Sequence, residues 1–471
     1  MRVKTYKFYD LSIDYKIGLK DYRNLFINGE SFKNFLKNRN YAIDMKSGRT
    51  PSKFNPDYWG GEYEFITMAD VDTVIYKLNQ ESKEKLTDDA INNEKNLLRV
   101  PKNSLIISSA MTLGLAFIND RDVYINQNVF WVNLNESICN KKFILWYFNT
   151  YVRKQFSEIY SAKYLSKLEL SRINIPKLSI DIQNEFENNI KDYEEEIDEL
   201  SKKKKNISEI VNEVFSSEFH FEKNLVNKVR KGMTFGTQSS TNNKLSIFYN
   251  NIGKLNGNKI RLSARANSPI IHEIYKVLDK YGTINLKDVV YENIHRGKSP
   301  NYDKNGSIPV IKTAHITNNG ISNEYEEFVN EDFYNKKSDS QVKKGDILLA
   351  STGKPSIGKI DIFEDDYQAI PDGHISIIRI NPEKYNRKFF VYYIRSVLGY
   401  MQIEKDYVGC TNQIELYPEE IGKILLPDIT LKQQEEIVEK IDEKIKEQNE
   451  IENQIIEEQE KIEKLLLEII K

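Results

Sequence analysis

The chain has 471 residues, 39% of them hydrophobic and 29% charged, with a formal net charge of −2; this length suits two to four domains with cores of their own. Two cysteines, Cys139 and Cys410, with no Cys-x-x-Cys spacing, argue against a disulfide framework or a thiolate zinc site. No apolar run approaches bilayer length and the opening residues Met1–Lys7 lack the apolar core of a secretory leader, so a cytoplasmic chain without membrane contact is expected.

In chain order, the first landmark is Gly48-Arg49-Thr50-Pro51-Ser52-Lys53, followed by Tyr58 and Trp59. The runs 104–108 and 129–134 read as strands, and 142–148 reads as an aromatic-rich helix. Ile175-Pro176 then leads into a helix predicted over 180–219, with Ser179 as its N-cap. Phe186, Ile190, Tyr193, Ile197, Leu200, Ile207, Val211 and Val214 lie on a 3–4 seam, Lys204 filling its one gap.

A stretch over 223–270 reads as a basic linker containing Gly232, Gly236, Ser239 and Ser240. Beyond it come Arg296-Gly297-Lys298-Ser299-Pro300, Tyr302, and Lys312-Thr313-Ala314-His315. The runs 346–351 and 374–380 read as strands, and 388–394 as a second aromatic helix. Leu426-Pro427 opens a last helix, with Thr430 and Gln433 as a capping box. Ile437, Ile441, Ile451, Ile455, Ile462, Leu465 and Ile469 form its seam, which Lys444, Gln448 and Glu458 interrupt.

Pro51 to Pro300 is a step of 249 residues, and Pro176 to Pro427 a step of 251. Two landmarks keeping nearly one period indicate two diverged copies of one module. The expected fold class is α/β: two such modules with mixed sheets, over 1–178 and 271–429, each followed by a long coiled-coil helix, over 179–222 and 430–471, with 223–270 leading into the second copy. Neither helix can bury its stripe alone, so the economical arrangement packs them on each other. Two unrelated amphipathic helices on separate domains are the alternative.

The near-neutral net charge conceals segregation. Residues 181–220 carry a net of −7 and 431–471 a net of −6, which leaves +11 on the rest. A basic remainder can engage a phosphate backbone. Motifs for chemistry are missing: there is no phosphate loop, dinucleotide fingerprint or nucleophile elbow, and the histidines 220, 272, 295, 315 and 374 are scattered. Asn55-Pro56-Asp57-Tyr58 approaches the Asn-Pro-Pro-Tyr motif of DNA amino-methyltransferases, but Asp57 replaces the second proline and a turn is the plainer reading. Binding is what remains. Lysines and hydroxyls suit phosphate positioning, arginine and amides can read base edges, and Gly48 and Gly297 permit close backbone approach.

These landmarks resemble the specificity (S) subunits of type I restriction-modification systems. The resemblance rests on Gly48–Ser52 with Tyr58-Trp59-Gly60, on Lys344–Gly353 with Ile357-Gly358, on Asn412-Gln413, and on Leu426-Pro427 with Gln434 and Ile437. In the first copy Asn103-Ser104 stands in place of Gly345-Asp346, and 161–164 in place of 409–412. The resemblance implies two target-recognition domains reading the halves of an asymmetric bipartite double-stranded DNA site, with antiparallel helices as spacer and as dock for two methyltransferase subunits. Restriction/motor subunits would complete the assembly. S-adenosylmethionine, ATP and Mg would belong to those partners, and this chain would carry no cofactor, metal or catalytic residue. Lys354, Asn412 and Gln413 join the loops above as candidate DNA contacts. Three rivals stay open: a recognition chain whose single partner both methylates and cuts, a coiled-coil scaffold without DNA selectivity, and an enzyme using Asn55 and Tyr58.

Overall fold

The computed structural model describes residues 29–31, 45–110, 112–137, 139–154, 164–170, 173–222, 224–227, 266–410 and 413–470. Most of the expected linker over 223–270 lies outside them. Among the described residues, contacts divide the chain into two compact units: one holds residues up to Lys204 and from Glu450 on, the other Lys205–Asn449.

The first unit contains an antiparallel sheet with spatial order Met45–Ser47, Val129–Val132, Leu105–Ser108, Ala116–Ile118. Its central strand Leu105–Ser108 is an unbroken buried run, as a strand covered on both faces should be. A second sheet, ordered Glu84–Leu86, Trp59–Ile66, Val123–Ile125, Leu98–Val100, contains one parallel pair, Trp59–Ile66 with Val123–Ile125. A short ladder joins Gly29–Ser31 to Asn174–Pro176.

The second unit repeats this plan. Its antiparallel sheet is ordered His295–Arg296, Ile375–Ile378, Ile347–Ala350, Ile360–Ile362. Its mixed sheet is Phe328–Val329, Ile308–Ile311, Ile370–Pro371, again with the last two strands parallel. The ladder Thr283–Asn285 with Leu425–Pro427 matches the first unit's Asn174–Pro176 ladder. The duplication is thus one of topology. Local geometry follows it: Asn103 takes φ 64° where Gly345 takes φ 85°, and asparagine is among the few residues besides glycine that visit this left-handed region.

Each unit has an aromatic helix capped by asparagine, Lys141–Trp146 continued by wider turns to Val152, and Arg387–Arg395. The Asn140 and Asn386 side chains accept the N–H groups of Phe143 and Phe389 at 3.1 and 2.9 Å.

The single helix predicted over 180–219 is two: Ile180–Lys203 and Ile207–Glu218. Asn206 and Glu209 form a capping box, their side chains each bonding the other's backbone N–H, which starts a new helix. Lys204 does not fill a seam position. It is extended, and its ammonium lies 2.8 Å from Glu452 within the first unit.

The last helix runs unbroken over Leu431–Ile470, with the predicted Thr430–Gln433 box at its start. In the first unit Phe186, Ile190, Ile197 and Leu200 share a core with Ile455, Ile462, Leu466 and Ile470. The buried register thus falls on Leu466 and Ile470; Leu465 and Ile469 sit at its margin. Lys204 meets Glu452 and Tyr193 meets Lys461, so the two helices step in opposite directions there. In the second unit Lys205–Gln448, Glu213–Lys444 and Glu218–Lys440 step the same way.

Among the described residues no helix is long and apolar enough to cross a membrane.

Candidate nucleic-acid interface

In the first module the strand Met45–Ser47 runs into the Gly48 loop, which crosses its own backbone closely. A Cβ on Gly48 would stand 1.7 Å from the Ile125 carbonyl oxygen, and its N–H donates to Asn126 O at 3.2 Å. The close approach foreseen for this glycine is therefore to the chain itself. Arg49 is exposed and has no hydrogen bond or ion pair among the described residues. The Thr50 hydroxyl donates to Gln127 Oε1 at 2.8 Å.

Ser52 and Lys53 are exposed. The Lys53 ammonium pairs with Glu84 and lies 3.7 Å over the Trp59 ring. Trp59 departs from its expected role as a DNA contact. It is only 7% exposed, packs edge-on to Phe65 at 5.4 Å, and donates its indole N–H to Ser52 O at 3.0 Å. Tyr58 packs beside it on the same cluster. Both aromatics anchor the loop. Asn55 caps the turn Pro56–Tyr58, as the turn reading predicts.

In the second module Gly297 repeats the crossing: a Cβ would stand 2.1 Å from Asp372 O, and its N–H donates to Ile375 O at 2.9 Å. Arg296 is engaged within the module. Its guanidinium pairs with Glu415, donates to Leu416 O at 3.2 Å and lies 5.6 Å from the Tyr417 ring centroid. That pairing holds the Glu415 carboxyl below the usual carboxylate range. Lys298 and Ser299 are exposed, with Lys298 3.5 Å from Asp339.

Lys312 pairs with Glu327 and lies 5.2 Å over Tyr302; Thr313 is half-buried. His315 Nδ1 accepts the Lys312 N–H at 2.9 Å, which puts a neutral ring's proton on Nε2. Burial, and then Lys312, lower the His315 pKa. Burial also raises the carboxyl of Asp372, whose backbone N–H bonds Ile311 O and whose carbonyl faces Gly297. Through Asp372 the Lys312–His315 turn and the Gly297 loop come together.

A third loop joins them. Gly353 N–H donates to Ile414 O at 3.0 Å, and Thr352 bridges Glu415, so Lys354 sits beside the hairpin strand that starts at exposed Gln413. Lys354 has no ion pair among the described residues. Asn412 lies outside them. The first module has the same backbone frame: Leu165 N–H donates to Ser109 O at 2.7 Å as Leu416 N–H does to Ser351 O at 2.8 Å. Ala110 bridges Tyr164 as Thr352 bridges Glu415. Tyr164 thus corresponds to Glu415 rather than to Asn412, three residues from the alignment read in the sequence; 161–163 lie outside the described residues.

A profile described as the type I restriction modification DNA specificity domain matches residues 42–209 and again 279–461. The chain belongs to this specificity-domain family. Among solved structures, it is similar to the S subunit of a type I restriction-modification system from M. genitalium, at 15% identity over 90% of this chain and 93% of that one, TM-score 0.35. It is also similar to the HsdS subunit from Thermoanaerobacter tengcongensis, at 10% identity over 90% and 93%, TM-score 0.30.

Within this family member, the loops also gather residues that the sequence did not single out. His374 is exposed beside them, its Nδ1 2.6 Å from the Thr352 hydroxyl. Gln127 occupies the corresponding turn of the first module. The signal was faint, because these residues stand at strand ends whose pairing only the fold reveals. Among the described residues no group of three His, Cys, Asp or Glu side chains could hold a metal ion.

Proposed function

We propose that this chain is the DNA-reading subunit of a type I restriction-modification complex, each module reading one half of an asymmetric bipartite target. The observation that carries this reading is the repeated backbone frame with different polar side chains on it. Arg49, Thr50 and Gln127 stand in one copy where Lys298, Ser299 and His374 gather in the other. One scaffold with two side-chain sets is what two different half-sites require.

In this reading the acidic helices carry the methyltransferase subunits and fix the unread gap, and the chain itself supplies no catalytic group. S-adenosylmethionine, ATP and Mg act on the partner chains, and a partner flips the base to be methylated. Selection of duplexes from a random pool by the assembled complex tests it. Recovery of one asymmetric bipartite consensus is the expected result. A pool without consensus would overturn the reading.

A further inference from the structure

Phe54 is 99% exposed. Single apolar residues are common on surfaces, so exposure alone assigns nothing; the construction of the turn beneath it does. Asn55 N–H closes the turn onto Ser52 O at 3.3 Å, and the buried Trp59 donates to the same oxygen at 3.0 Å. Lys53 is held over the Trp59 ring and against Glu84. The Phe54 side chain takes part in none of these contacts. A bare ring is thereby presented on a pinned turn.

The second module does not present a bare ring: its loop aromatic is engaged by Lys312, 5.2 Å over the ring. That aromatic, Tyr302, is 49% exposed and stands two residues after Pro300, whereas Phe54 stands three after Pro51. In the first loop the uncompensated Arg49 stands five residues before the ring, available to a phosphate.

Resting on the recognition reading above, we propose that Phe54 inserts against a base step of the half-site read by the first module. A phenyl ring has no donor or acceptor and cannot read the hydrogen-bond pattern of a base edge. It can stack on a base or wedge a step open, and that costs least at flexible pyrimidine–purine steps. The first half-site then owes part of its sequence preference to deformability, and contains such a step.

The test uses the assembled complex and duplexes bearing the host's methylated motif, with 2-aminopurine placed in turn along the first half-site. The wild-type complex should raise 2-aminopurine fluorescence at one step. Phe54→Ala should abolish that rise and weaken binding about tenfold, as loss of base–aromatic stacking does, with the salt dependence unchanged. Being fully exposed, the residue should leave the unfolding midpoint where it is. Binding within about twofold of wild type with the fluorescence rise intact would overturn the proposal. So would a Phe54→Ala chain that fails to assemble with its methyltransferase partners, which would assign the ring to a protein contact. A wild-type complex that does not prefer motif-bearing duplexes would contradict the recognition reading itself.

Discussion

Gln434 accepts the backbone N–H of Asn386 on its side-chain oxygen at 2.8 Å and donates its amide N–H to Ile429 O at 2.9 Å. The buried side chain thereby ties the cap of the aromatic helix to the start of the long helix. Gln183 does the same in the first module, with Asn140 at 3.0 Å and Leu178 O at 3.1 Å. Tyr147 and Tyr393 extend the match, donating to Asn174 O and Leu425 O at 2.8 and 2.6 Å. Each module is thus locked to a helix by the same polar joint.

Gln434→Ala should leave two half-buried backbone groups without these partners, at a cost of about 1 kcal/mol. Gln183→Ala should cost a similar amount in the other module. Thermal or urea unfolding followed by circular dichroism measures both. Unchanged midpoints would mean that the joint contributes nothing.

The two arginines of the candidate loops should behave differently. Arg49 is exposed and unengaged, so Arg49→Ala should weaken DNA binding and reduce the slope of log affinity against log salt by about one. Arg296 is engaged with Glu415, so Arg296→Ala should mainly lower stability and change the salt slope little. Binding isotherms at several salt concentrations, beside unfolding curves, separate the two.

Protonation of His315 should destabilise the second module. Burial lowers its folded-state pKa, so below the ordinary value of about 6.5 the unfolded chain binds a proton that the folded chain resists. Stability therefore rises with pH through that window and is fully present above it. His315→Gln should flatten the dependence below about pH 6.5. Asp372, whose pKa burial raises, acts with the opposite sign at lower pH and remains in that variant. An unaltered pH profile in His315→Gln would count against the assignment.

The module plan was legible because proline landmarks and buried apolar runs are local signals. Leu105–Ser108 and Ile347–Ala350 announce themselves as covered strands. The break at Lys204–Asn206 was not read: Asn206 and Glu209 carry its signal, but the apolar spacing on either side masked it. The site was harder. Trp59 looks like a ligand contact in sequence, and only the fold shows its ring beneath Lys53 and its N–H spent on Ser52. Arg296 likewise looks free until strand pairing places Glu415 beside it. A partner more than a hundred residues away, as Glu415 is from Arg296, leaves no local trace.

Helix length offers a further prediction. If the paired helices set the gap between half-sites, adding one heptad to each should change the gap and leave both half-site sequences alone. A change in the half-sites themselves would contradict the spacer role.

The most direct measurement is methylome sequencing of the host with and without this gene. The account predicts that deletion removes one bipartite, asymmetric methylated motif, which supplies both half-sites. An unchanged methylome, with the methyltransferase genes expressed, would contradict it and favour a scaffold without DNA selectivity.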